Sequence, residues 1–107
     1  MPMRDLTKAE KRLVRDLLDD AFEAELAAAL EDVESALAEW RRGELRPSEV
    51  QERIHEFHKE SQEVFKSYNY LEPVLALARA LEFEFIPLAR VPESLRERVQ
   101  ALRAMVR

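Results

Sequence analysis

Apolar residues in the first third of the chain recur at helical spacing. Val14, Leu18, Phe22 and Leu26 step by four; Leu26, Leu30, Val33, Leu37 and Trp40 then step by four, three, four and three. No glycine or proline interrupts the run, which predicts one long helix over about 7–42. Thr7 and Glu10 have the spacing of a capping box at its start. Gly43, the single glycine of the chain, stands where a left-handed residue would close it. Such a helix would be about 54 Å long at 1.5 Å per residue, too long for a compact domain of this size. It therefore either breaks near Asp19-Asp20 or projects and finds a partner.

A short connection leads to Pro47, which suits the first turn of a second helix over 47–68. Its seam is Val50, Ile54, Phe57, Ser61, Val64 and Tyr68, widened by Phe65. So short a loop predicts an antiparallel hairpin in which Leu30, Val33, Leu37, Trp40, Ile54, Phe57 and Val64 are buried together. A third helix is expected over 70–83, capped by Asn69 with Glu72 three residues on, and carrying Val74, Leu75, Leu77, Ala78 and Leu81 inward. Residues 82–86 alternate like a strand, but no second strand-like run could pair with them, so they read as helix end and loop. Pro87 and Pro92 bracket a connector that packs Ile86, Leu88 and Val91. The last helix, over 92–106, presents Leu95, Val99, Leu102 and Val106, beside a stripe of Arg96, Gln100, Arg103 and Arg107. The expected fold is all-α: four helices with the first the longest, one domain over 1–107, in a bundle completed by dimerisation.

Composition narrows the setting. Of 107 residues none is cysteine, which removes disulfides and thiolate metal sites and suits a cytoplasmic protein. No apolar run is long enough to span a bilayer, and none follows Met1 to Asp5 as a signal peptide would require. The basic C-terminal helix has only Leu, Val and Met as anchors and is expected to pack on the bundle rather than lie on a membrane. The net charge of −5 is unevenly placed: Asp16 to Glu39 holds nine acids and no Lys or Arg. Lys8, Lys11, Arg12 and Arg15 precede this stretch, and Arg41, Arg42 and Arg46 follow it. An acidic mid-helix repels nucleic acid and attracts basic partners.

The expected interaction surface lies on the first helix: Val14, Leu18, Phe22 and Leu26, flanked by Asp16, Asp20 and Glu23. A second copy of the chain, a basic protein, or both would cover it. This points to a small adaptor, or a regulatory protein of antitoxin type, without catalysis of its own and without a cofactor. The serines lack a nucleophile elbow, no glycine loop could cradle phosphate, and Tyr68 and Tyr70 read as core and cap residues.

The alternative chemistry centres on 52–58. Glu52 and His55 form a Glu-x-x-His pair, the spacing that helical di-iron proteins use on one metal, with His58 one turn away. A divalent ion would need a second such pair from a dimer, with Glu31 or Glu34 as bridging carboxylates. Arg53 and His58 have the spacing Arg-x-x-x-x-His, which resembles the catalytic motif of the HEPN ribonucleases, dimeric helical bundles of similar size. That resemblance implies that Arg53 orients a scissile phosphate and His58 acts as acid or base. It covers six residues, and Ile54 stands where that family has a polar one. The stretches 38–43 and 53–58, with Tyr68, also resemble a group of small uncharacterised bacterial helical proteins, which implies no activity.

Overall fold

The computed structural model describes residues 6–106, and among them all regular structure is helical. Helix α1 runs Lys8–Arg41, α2 Pro47–Asn69, α3 Pro73–Glu82 and α4 Glu93–Arg103, with a 3-10 turn at Leu88–Arg90 before α4. Met1 to Asp5, with Arg4, and Arg107 of the C-terminal stripe lie outside the described residues.

Helix α1 is continuous. It begins with the reciprocal capping box: Thr7 N–H donates to Glu10 Oε1 at 2.9 Å, and Glu10 N–H donates to Thr7 Oγ1 at 3.1 Å. It does not break at Asp19-Asp20, because those two carboxylates face solvent while Leu17, Leu18 and Ala21 around them are buried. It closes at Gly43, whose φ is 80°; Gly43 N–H donates to the Trp40 carbonyl and Glu44 N–H to the Glu39 carbonyl. Four residues later α2 turns back antiparallel, with Pro47 in its first turn and the Glu49 carboxylate accepting from Arg46 N–H.

The third helix starts later than Asn69 would suggest. Glu72 is extended, as a residue before proline prefers to be, and its carboxylate accepts from Leu75 N–H at 3.0 Å. Asn69 instead ends α2, donating from its side-chain amide to the Phe65 carbonyl. Residues 83–86 are a turn, as expected, closed by a second left-handed residue, Glu84, at φ 63°. Ile86 and Val91 are buried and Leu88 half-buried along the connector. The last helix stops at Arg103 rather than 106, since past Leu102 there is no core left to cover and Met105 stands exposed.

Most of the inward residues expected on α3, the connector and α4 are in the core, but most of those expected in the hairpin are not. The core joins the first half of α1 to α3 and α4, through Val14, Leu17, Ala21, Leu77, Leu95 and Val99. Val14 and Leu18, read as an exposed association seam, are inside it. Of the seven residues expected to form the hairpin core only Val64 is buried; Val33 and Phe57 are half-covered, and Leu30, Leu37, Trp40 and Ile54 are exposed. Beyond the α3–α4 unit the hairpin has no third layer among the described residues. The molecule measures 54 × 24 × 24 Å with a radius of gyration of 17.0 Å, against about 13 Å for a compact chain of similar length.

Candidate interaction surface

Where the hairpin leaves the core, its two helices keep a wide apolar face. On α1, Leu26, Val33 and Trp40 occupy one heptad row and Phe22, Ala29 and Ala36 a second. Ala29 and Ala36 are buried, and so small a pair lets α2 come close. Leu30 and Leu37 form a third row beside these. An apolar arc three rows wide suits a helix with two neighbours, not one. Among the described residues α2 is the only neighbour here, so Leu30 is left 49% exposed and Leu37 40%. On α2 the matching rows are Val50, Phe57 and Val64, then Ile54, Ser61 and Tyr68, with Phe65 beyond. Ile54 is 46% exposed and Phe65 47%.

At 100° per residue in two antiparallel helices, the uncovered rows open on the same side of the hairpin. Two grooves on that side bear this out. Phe22 and Leu26 line one together with Ser61, Phe65 and Tyr70, and Leu30, Val33, Leu37 and Arg41 line the other. The α3–α4 unit packs on the opposite flank of α1, which Val14, Leu17 and Ala21 occupy, so it leaves this side open.

Charge is sorted by flank. Glu23 and Glu34 edge the groove on α1, with Arg41 at the tip stacked on Trp40 at 5.8 Å from the ring centroid. The groove edge of α2 carries Gln51, His55, His58 and Gln62, with Lys66 lining it further along, and no carboxylate. The α2 acids Glu49, Glu52, Glu56, Glu60 and Glu63 fall on its other faces. Asp16, Asp20 and Glu23 of the expected surface are exposed, and Asp20 is paired with Arg90 at 2.7 Å.

The root of the hairpin is held by a cluster no local pattern announces. Arg79 on α3 makes a two-pronged ion pair with Glu25 on α1, both contacts 2.8 Å, and Tyr68 on α2 donates its hydroxyl proton to Glu25 Oε1 at 2.9 Å. The Arg79 guanidinium lies 5.8 Å from the Tyr68 ring centroid and 5.1 Å from that of Phe83. Burial, then the bond to the Glu25 carboxylate, pushes the Tyr68 phenol well above its ordinary range, and that carboxylate raises Arg79 as well. The cluster ties three helices at one level and fixes the angle at which the hairpin projects.

The other sequence candidates are placed apart from this cluster. Glu52, Arg53, His55 and His58 are all exposed on α2. Glu52 and His55 point outward from the hairpin, not along the inward seam from which helical bundles ligate metal. Among the described residues no three of His, Cys, Asp and Glu stand close enough to hold a metal ion. Arg53 and His58 remain about 140° apart around an unbroken helix. His58 borders the groove, its ring next to Gln62. No described helix is long and apolar enough to cross a membrane. The chain matches no protein-family model, no curated protein and no solved structure.

Proposed function

We propose that the protein is a small cytoplasmic interaction or regulatory module, of adaptor or antitoxin type, which binds other proteins through the open side of the α1–α2 hairpin. The observation that carries this reading is the row of Leu30, Leu37, Ile54 and Phe65, each 40% exposed or more on one side of the hairpin. Aligned apolar side chains rimmed by charge mark association surfaces, whereas scattered ones do not. The expected surface thus moves from Val14 and Leu18 up the same helix; Phe22 and Leu26 keep their place in it. Glu23 and Glu34 on its edge would favour a partner with basic or neutral groups at the matching positions and would slow approach to nucleic acid. The absence of cysteine suits a cytoplasmic setting.

Leu30→Glu and Leu37→Glu test the reading. Both side chains are exposed, so each variant should keep the wild-type circular dichroism while losing partners that the immobilised wild type retains. If the retained proteins and the state of self-association are the same for the wild type and both variants, the face is not a binding surface.

A further inference from the structure

We infer that the occupant of the open side is a second copy of this chain, stacked face to face with both hairpin tips at the same end to make a four-helix bundle. The inference rests on the reading of that side as an association surface and adds which partner it takes and in what orientation.

Three observations support it. The first is shape. Each hairpin brings half of a bundle cross-section: central rows facing one another, outer rows Leu30/Leu37 and Ile54/Phe65 facing out of the pair. A second identical face supplies the missing half, because a two-fold interface sets one patch against itself. The second is size. The face runs from Phe22 to Arg41, about 30 Å at 1.5 Å per residue, and two helices wide, so two copies would bury on the order of 1,200 Å². That reaches the lower end of stable specific interfaces.

The third observation, charge, selects the orientation. Tips together, α1 of one copy lies over α2 of the other; tips opposed, α1 lies over α1. The α1 edge bears Glu23 and Glu34, while the α2 edge has no carboxylate and presents His55, His58 and Lys66. Counting equally from the middle of the 42–46 connection, Glu34 comes level with Ile54, next to His55, and Glu23 with Phe65, next to Lys66. Tips together therefore sets Glu34 by His55 and Glu23 by Lys66 twice over, whereas tips opposed over the same face brings Glu23 level with Trp40 and Arg41 but leaves Glu34 and Lys66 without an opposite charge across the interface. The α3–α4 unit sits on the far flank of α1 and obstructs neither copy.

The whole chain is used for the test, and because it has no cysteine a single Ser48→Cys near the tip takes one spin label. Sedimentation at about 100 µM, where even a micromolar pair is associated, should give a dimer. Dipolar spectroscopy on that dimer should place the two tip labels within about 25 Å, since both sit on α2 and the two α2 helices stand diagonally across a bundle whose neighbouring helices lie about 10 Å apart. Glu34→Lys should weaken the dimer several-fold, and Leu30→Glu should abolish it without loss of helical content; Leu37→Glu repeats the second check at another position. A monomer at that concentration overturns the inference. So do tip labels more than about 30 Å apart, the spacing that opposed tips would produce, and so does a dimer tightened by Glu34→Lys. A monomer that still retains a foreign partner lost with Leu30→Glu sinks the second copy and leaves the interaction reading standing. A dimer indifferent to both leucine substitutions sinks the two together.

Discussion

Glu25→Ala is the most informative single change at the root of the hairpin. In the wild type the Glu25 and Arg79 side chains are 12% and 19% exposed, and the carboxylate receives both Arg79 prongs and the Tyr68 hydroxyl. Exposed ion pairs contribute about 0.2–1 kcal/mol, while breaking a fully buried pair costs about 3–5 kcal/mol because the orphaned charge stays inside. A site with a little solvent access falls between, at about 2–3 kcal/mol. The loss should appear as a lower urea midpoint with an unchanged slope, and as a melting temperature lower by roughly 8 °C or more. Replacing all three polar partners, as Glu25→Ala with Arg79→Met and Tyr68→Phe, removes the orphaned groups together and should recover at least half of the loss. A loss below about 0.5 kcal/mol, or a triple variant no more stable than Glu25→Ala alone, would show that the cluster does not hold the hairpin to α3.

Glu84 occupies a left-handed position that glycine adopts without a side-chain clash. Glu84→Gly should therefore raise stability by about 1 kcal/mol, read as a higher urea midpoint; a fall would contradict the assignment. Leu77 is fully buried and Leu37 is not. By denaturant titration Leu77→Ala should cost about 2–5 kcal/mol, whereas Leu37→Ala in the monomer should cost less than about 1 kcal/mol. Comparable losses would mean that the distal hairpin carries a core of its own. The Tyr68 phenol is raised in the folded state, so its contribution is complete below the unfolded value near 10 and is lost as pH climbs above it. Wild-type stability should thus fall above about pH 10 faster than that of Tyr68→Phe, by up to about 1.4 kcal/mol per pH unit; parallel pH curves would refute this.

Much of the architecture is legible in local sequence because local forces decide it. The Thr7/Glu10 box, Gly43 and Pro47 mark ends that depend on a few neighbouring backbone groups, and each appears where its chemistry requires. The continuity of α1 and the late start of α3 are finer matters. The first depends on burial around Leu17 and Ala21, the second on the steric effect of Pro73 on Glu72.

Which apolar rows are covered is not local. Periodicity shows that Val14 and Leu18, or Leu30 and Leu37, share a side of α1, but it contains nothing about which side meets a neighbour. That depends on where α3 and α4 fold back, and they cover only the first half of α1, leaving Leu30, Leu37 and Ile54 bare. The same limit hides the Glu25–Arg79 pair, whose members are 54 residues apart. Neither residue stands out among the many charges of the chain until three helices bring them to one point. Sequence alone determined the helices and the wide apolar arcs on the first two of them; the tertiary structure decided which arc becomes core and which remains open, because burial is a property of a residue's neighbours in space and not in the chain.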